Sequence, residues 1–146
     1  MNKKLVILGG GESGVGAALL GLQNGFQIFV SDAGKVTPGY SNEMALNKIE
    51  FEEGGNTEQK ILNDDLVIKS PGIPEKNELI KKIRKQGIEN ISEIEFAFRY
   101  KNESKIIAIT GSNGKSTTTA MVYHICKTAG LSCSMVGNIG YSYAKQ

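Results

Sequence analysis

The sequence predicts an α/β protein with a parallel sheet, and three observations support that prediction. Short apolar runs alternate with stretches of helical periodicity along the chain. The runs are apolar at consecutive positions, as in strands that a parallel sheet buries on both faces. Glycine, with 18 residues in 146, clusters between these runs and exceeds its usual share of about 7%. Such clusters indicate backbone that must approach another group closely.

Composition excludes several classes of protein. The 17 basic residues are nearly balanced by 15 acidic ones, which gives no electrostatic basis for nucleic-acid binding. No apolar run approaches the ~18 residues that span a membrane, and the run ending at Leu8 is too short for a signal peptide. Cys126 and Cys133 lack Cys-x-x-Cys spacing, so we interpret them as free thiols. We therefore expect a cytoplasmic protein without membrane insertion.

The first elements follow from periodicity and glycine positions. Residues 4–8 form an apolar run that ends at glycine and predict a strand. Residues 15–24 have helical spacing, and 26–30 predict a second strand. A strand, glycine loop, helix and strand in this order form a βαβ unit with parallel strands. The elements predicted next are a helix at 42–48, a strand at 49–51, a helix at 56–62, a strand at 66–69, a helix at 77–86 and a strand at 88–91.

The pattern restarts after residue 92. Ser92 and Glu95 have the spacing of a capping box, which predicts a helix of about ten residues. The elements predicted after it are a strand at 105–109, a loop at 110–116, a helix ending at Gly130 and a strand at 131–136. We therefore predict two domains, 1–93 and 94–146. The second has too few elements to enclose a core, which indicates truncation.

The residues after the predicted strand at 105–109 have the pattern of a phosphate-binding loop. Gly111 and Gly114 let backbone N–H groups turn toward phosphate oxygens, and a helix follows. Lys115 is placed to neutralise the β and γ phosphates, and the Ser116 hydroxyl to bind Mg²⁺. Ile109 stands where the strict pattern needs glycine, so the loop is a shortened form; an ordinary glycine turn is the alternative. The residues expected to bind ATP are Gly111, Ser112, Asn113, Gly114, Lys115, Ser116 and Thr117, with Lys115 as the catalytic residue.

A second glycine loop lies near the amino terminus. Residues 9–14 satisfy Gly-x-Gly-x-x-Gly between a predicted strand and helix, and Asp32 follows Gly14 by 18 residues. This pattern is typical of dinucleotide binding, with the acidic residue on a ribose. NAD, another diphosphate, or a loop needed only for tight packing all remain open on these residues. Together the two loops predict a Rossmann-like parallel sheet domain followed by the truncated start of a P-loop ATPase-type α/β domain.

Four segments together resemble the Mur ligase family: 9–14, 70–73, 110–118 and 137–140. The third is specific to this family, and the second resembles its D-glutamate-adding branch. The resemblance implies that the first domain binds a UDP-sugar rather than NAD. It also implies ATP-dependent addition of D-glutamate to UDP-N-acetylmuramoyl-L-alanine through an acyl phosphate, in peptidoglycan precursor synthesis.

The resemblance also implies positions around the UDP-sugar. These are Glu12, Ser13 and Gly14 at the diphosphate, Asp32 and Ala33 at the uracil or ribose, Ser70 and Gly72 closing the pocket, and Asn138 from the second domain. Lys35 would supply a positive charge where the family often has arginine. The remaining catalytic groups and the domain that receives the amino acid would lie beyond Gln146. We therefore expect substrate binding with little or no turnover, and a monomer when intact.

Other functions remain open. One is a regulatory module that binds NAD at the first loop, and another is a P-loop ATPase with an unrelated amino-terminal domain. Within the family, the rivals add L-alanine or a diamino acid, or add glutamate to folate. We interpret His124 and the basic run 81–85 as surface features, and Glu52 and Glu53 as an exposed turn.

Overall fold

The computed structural model describes residues 3–137 and 139–146. The strands are β1 (Lys4–Leu8), β2 (Gln27–Asp32), β3 (Glu50–Glu53), β4 (Leu66–Lys69) and β5 (Glu89–Ser92). The α-helices are α1 (Glu12–Gln23), α2 (Pro38–Leu46), α3 (Glu58–Ile61), α4 (Glu78–Lys85), α5 (Glu93–Arg99) and α6 (Lys115–Thr128). A 3₁₀ turn over Tyr143–Lys145 follows α6.

The five strands form one parallel sheet in the order β3-β2-β1-β4-β5. This confirms the predicted Rossmann-like α/β fold and the βαβ unit at its start. β1 lies between β2 and β4, so the chain leaves β1 in one direction and returns on its other side. In parallel sheets the crevice at such a reversal, outside the carboxyl ends of the strands, is the usual place for a ligand.

The core has two layers, one on each face of the sheet. Leu5 and Ile7 of β1 are buried in one layer with Phe96 of α5, and Val6 and Leu8 are buried in the other. Consecutive side chains of a strand point to opposite faces, so this double burial explains the uninterrupted apolar run.

Helix α5 packs into the core of the first sheet. The Phe96 ring is fully buried and makes edge contacts with Phe26, at 5.9 Å between ring centroids, and with Tyr100, at 5.1 Å. The part of the chain that packs on the sheet therefore extends to α5, which ends at Arg99. The division into domains 1–93 and 94–146 stays a prediction. The Ser92 hydroxyl accepts the Glu95 N–H at 3.1 Å, as the capping box predicts.

The start of α2 differs most from the sequence prediction. Helix α2 begins at Pro38, four residues before the predicted start at Asn42. Thr37 is its extended N-cap, and proline suits the next position because its ring presets a helical φ and its missing N–H would have had no helical partner.

The strands predicted at 105–109 and 131–136 are wrong. Neither segment forms a strand, and only an isolated bridge joins Val136 to Tyr141. The described residues place no neighbouring strand beside them, and a strand needs a partner for its backbone hydrogen bonds. Ile107 and Leu131 face solvent, at 68% and 57% exposure.

Helix α6 forms as predicted but buries none of its residues. Ile125, in its predicted apolar stripe, is 62% exposed. Cys126 and Cys133 are free and half-buried. Among the helices of the described ranges, none has the length and apolar character to span a membrane.

Candidate functional site

A cleft of about 350 Å³ opens at the carboxyl ends of β1, β2 and β4. Its lining includes Gly9 and Gly11 of the first glycine loop, Asp32 and Ala33 at the end of β2, and Ser70 after β4. These residues are distant in sequence and meet because parallel strands end at the same edge. The cleft therefore lies at the reversal of strand order, where the fold favours ligand binding.

The glycine loop joins β1 to α1 with almost no free space. Gly9 has a φ of +103°, and its N–H donates to the Ser31 carbonyl at 2.8 Å. A Cβ added at Gly14 would lie 1.8 Å from the Gly9 carbonyl oxygen. The loop thus needs glycine at both places, and it brings the first turn of α1 to the edge of the cleft. The first N–H groups of a helix have no partner within it, so this end suits an anion.

Asp32 ties the end of β2 to the glycine loop. Its Oδ2 accepts the Gly10 N–H at 2.6 Å, and its Oδ1 accepts the Gly34 N–H at 2.8 Å. Each carboxylate oxygen retains a lone pair that can accept from a ligand hydroxyl. Asp32 is therefore both a brace for the loop and a candidate for the ribose.

Not all of the predicted substrate residues line this cleft. Lys35 is exposed beyond it, and Gly72 lies in the exposed turn after β4. The Glu12 side chain points instead toward the end of the chain, as described below. Asn138 lies outside the described residues.

Sequence reasoning missed a polar group beside the cleft. Glu52 is half-buried, so its interpretation as an exposed turn is wrong. The buried Ser31 hydroxyl donates to Glu52 at 2.8 Å, and the Thr57 N–H donates to it at 2.7 Å. Burial opposes ionisation, but these hydrogen bonds outweigh it and hold the Glu52 pKa below its ordinary value. By accepting from Thr57, the carboxylate fixes the loop whose Asn56 lines the cleft. No spacing rule signals that role.

The second glycine loop leads directly into α6. Gly114 is the left-handed N-cap of α6, with a φ of +76°, and Gly111 also has a positive φ. The Lys115 ammonium donates to the carbonyls of Gly111 and Ser112, the latter at 3.1 Å, so it lies at the mouth of the loop. Ser116 follows in the first turn of the helix.

This donor set fits a nucleotide phosphate with Mg²⁺. The helix start offers N–H groups, the ammonium offers positive charge, and a hydroxyl oxygen suits a hard cation. In the described ranges no group of three or more His, Cys, Asp or Glu side chains could hold a metal ion. From this part of the chain, the Ser116 hydroxyl is the candidate Mg²⁺ ligand. The loop is exposed over residues 110–118.

Residues 142–145 dock on helices α1, α2 and α5. The Ser142 N–H donates to Glu12 Oε1 at 3.2 Å, and Lys145 Nζ donates to Glu12 Oε2 at 3.2 Å and to Glu43 at 3.1 Å. Farther along, the Ala144 N–H donates to the buried Glu93 carboxylate at 2.7 Å. These contacts join residues more than 50 positions apart, which sequence reasoning missed.

The pKa values of Glu12 and Glu93, two carboxyl groups that contact residues 142–145, shift in opposite directions. Burial raises the pKa of Glu12, but hydrogen bonds from Ser142 and Lys145 outweigh it, so the Glu12 pKa is lowered. At Glu93 burial dominates, and the Glu93 pKa is raised despite the Ala144 N–H.

We expect Glu93→Gln to remove one component of the pH dependence of stability. The folded chain binds the Glu93 proton more tightly than the unfolded chain, so Glu93 lowers stability as pH rises from 4.5 through its folded pKa. Glutamine keeps an oxygen for the Ala144 N–H without the buried charge. Urea unfolding at several pH values measures the free energy of unfolding of both chains. Relative to the wild type, the free energy of unfolding of the glutamine variant should increase as pH rises, and at neutral pH the variant should be at least as stable.

Glu93→Ala is the matched comparison for that experiment. It leaves the buried Ala144 N–H without its acceptor, which costs about 1–3 kcal/mol. A glutamine variant with the same pH profile as the wild type would contradict the assignment of a buried, charged Glu93.

Two family models match the chain. Residues 3–92 match the Mur ligase MurD-like N-terminal domain, and residues 109–146 match the Mur ligase middle domain. The UDP-N-acetylmuramoylalanine–D-glutamate ligase of Christiangramia forsetii is 50% identical over 145 residues, which are 99% of this chain and 32% of that protein. The ligase of the same name from Bacteroides thetaiotaomicron is 54% identical over 144 residues, with the same coverage of 99% and 32%. The chain thus spans about a third of the length of the curated relatives it matches.

Solved structures of ligases also resemble this chain. The UDP-N-acetylmuramate-alanine ligase of Thermotoga maritima superimposes with a TM-score of 0.59 at 27% identity, over 89% of this chain and 30% of that one. A murein peptide ligase from Psychrobacter arcticus gives a TM-score of 0.66 at 26% identity, over 88% of this chain and 27% of that one.

Proposed function

We propose, because the chain belongs to the Mur ligase family, that it is part of an ATP-dependent ligase that joins D-glutamate to UDP-N-acetylmuramoyl-L-alanine. The observation that carries this proposal is the identity of about 50% to ligases of that name across the whole chain. Residues 1–93 would bind the UDP-sugar, and 94–146 would begin the ATP-binding domain. The proposal includes a cytoplasmic location, where ATP is available, and a monomeric ligase.

The cleft at the carboxyl ends of β1, β2 and β4 supports the UDP assignment. The N–H groups of Glu12, Ser13 and Gly14 begin α1 at its edge and suit the diphosphate. Asp32 and Ala33 line the cleft at the end of β2, at the place proposed for uracil or ribose. The other residues that we propose to contact the UDP-sugar are Ser70, Gly72, Lys35 and Asn138.

The second loop supports the ATP assignment. We propose that the substrate carboxylate attacks the γ-phosphorus of ATP, which forms an acyl phosphate and releases ADP. The D-glutamate amine then attacks the acyl carbon and expels phosphate. Lys115 would neutralise negative charge on the transferring phosphoryl group, and Mg²⁺ bound at Ser116 would supply further positive charge when present. The ATP contacts proposed are Gly111, Ser112, Asn113, Gly114, Lys115, Ser116 and Thr117.

Thermal unfolding of this 146-residue chain with UDP tests the first assignment. A ligand that binds only the folded chain adds about 2.7 kcal/mol of stability at 100 times its Kd. We expect UDP and UDP-N-acetylmuramoyl-L-alanine to raise the Tm, and NADH to leave it unchanged. Stabilisation by NADH alone would favour the NAD-binding regulatory module instead.

The amino acid needs a separate experiment. The solved structures that resemble this chain include an alanine ligase, so the fold alone does not select D-glutamate. We expect the ligase that contains this chain to release phosphate from ATP with D-glutamate and UDP-N-acetylmuramoyl-L-alanine, and not with L-alanine and UDP-N-acetylmuramate. The reverse preference would assign the chain to another branch of the family.

A further inference from the structure

We propose that Lys145 couples the docking of residues 142–145 to anion binding at the first glycine loop, by neutralising the Glu12 carboxylate. The inference rests on the proposed function, since it takes the anion to be the diphosphate of a uridine nucleotide. It assigns Glu12 and Lys145 as positioning residues that act on the ligand through charge.

Glu12 puts a negative charge where the fold favours an anion. It is the first residue of α1, and the start of that helix lies at the edge of the cleft. The backbone N–H groups there attract a diphosphate, while a carboxylate on the same turn repels it. Anion binding at this loop therefore depends on what balances the Glu12 charge.

Lys145 supplies that balance. Its side chain is 16% exposed, and its ammonium lies 3.2 Å from Glu12 and 3.1 Å from Glu43. It also lies 5.7 Å from the centre of the Tyr40 ring. Together Glu12, Glu43 and Lys145 carry a net charge of −1, whereas Glu12 and Glu43 without the docked ammonium carry −2.

Residues 142–145 also make docking contacts that do not involve the Lys145 ammonium. The Ser142 N–H donates to Glu12, and the Ala144 N–H donates to Glu93. Gly16 makes room for the segment, because a Cβ there would lie 2.0 Å from Ser142 Oγ. Removal of the Lys145 charge should therefore leave the segment docked, so charge and docking can be separated.

Coupling of this kind is reciprocal. If docking strengthens UDP binding, UDP binding must strengthen docking by the same factor. UDP should therefore slow hydrogen exchange at the Ala144 N–H, which is buried against Glu93 and far in sequence from the loop.

Titration of UDP into four chains tests the proposal: the wild type, Lys145→Met, Glu12→Gln and the double variant. At low salt we expect Lys145→Met to weaken UDP binding about fivefold, the size typical of one charge at a helix end. Glu12→Gln in the Lys145→Met chain should restore the affinity, because it removes the charge that Lys145 balances. The loss should shrink at about 1 M salt, where charges are screened within ~3 Å.

Lys127→Met is the matched control, since it removes one positive charge from the exposed end of α6. It should bind UDP as the wild type does. Wild-type affinity in Lys145→Met, or no rescue in the double variant, would overturn the coupling alone. Unprotected exchange at Ala144 in Lys145→Met would show that the segment had undocked, and would overturn the charge mechanism. A wild-type chain without affinity for UDP would overturn the proposed function and the coupling together.

Discussion

Replacement of Gly14 by alanine is expected to destabilise the folded chain by about 3 kcal/mol and to abolish UDP binding. The added Cβ would lie 1.8 Å from the Gly9 carbonyl oxygen and 3.0 Å from its carbon. Both atoms belong to the backbone, so no side-chain rotation relieves the clash. Either β1 and α1 move apart, or the loop distorts and displaces the N–H groups proposed for the diphosphate.

Gly39→Ala is the control for this substitution. Gly39 is the second residue of α2, as Gly14 is the third residue of α1, and nothing lies within 4 Å of a Cβ built at Gly39. Alanine there should raise stability by up to about 1 kcal/mol through helix propensity and should leave UDP binding unchanged. Urea unfolding and UDP titration of both variants measure the difference. A Gly14→Ala chain as stable as the wild type would show that the loop is looser than this close approach requires.

The start of the parallel sheet was predictable because the sequence patterns that indicate it are local. β1 is apolar at consecutive positions, and the structure buries Leu5 and Ile7 on one face and Val6 and Leu8 on the other. One constraint on its glycine loop, the close approach of Gly9 and Gly14, lies within six residues. The residues that form these short patterns are also the ones that the strand buries or the loop brings together. The sequence alone therefore locates the strand, the loop and the helix.

The predicted strand at 105–109 fails for the opposite reason. Its apolar side chains satisfy the local pattern, but a strand is defined by the backbone of a neighbour. Among the described residues none pairs with it, and Ile106 and Ile107 remain exposed. The local pattern is the same whether or not a partner strand is present, so no reading of these five residues distinguishes the two cases.

The polar contacts beside the cleft could not be predicted either. Glu12 and Lys145 meet across 133 positions, and Ser31 meets Glu52 across 21. Charged residues have no helical or strand period that marks a partner, and a Glu side chain is usually solvated. The fold first has to bring these elements together, and only then do the charges acquire a role.

Lys115→Ala is expected to reduce turnover of the proposed ligase by about 100- to 1,000-fold, the usual cost of one group that stabilises transition-state charge. The Lys115 ammonium lies against the carbonyls of Gly111 and Ser112 at the mouth of the second loop. From that place it would reach the phosphates of the nucleotide that we propose to bind at the start of α6. Because charge develops on the transferred phosphoryl group, kcat should fall as well as the affinity for ATP.

Lys127→Ala separates this role from the general effect of positive charge. Lys127 lies near the other end of α6, so both variants lose one ammonium from the same helix. Lys115 is exposed and its partners are backbone carbonyls that water can satisfy, so its loss should change stability by no more than about 0.5 kcal/mol. Phosphate release in the ligase that contains this chain should therefore collapse in Lys115→Ala and persist in Lys127→Ala, with similar unfolding curves. Without its ammonium, the loop would leave the charge that develops on the phosphoryl group unbalanced. Equal turnover in the two variants would therefore show that Lys115 has no role in phosphoryl transfer.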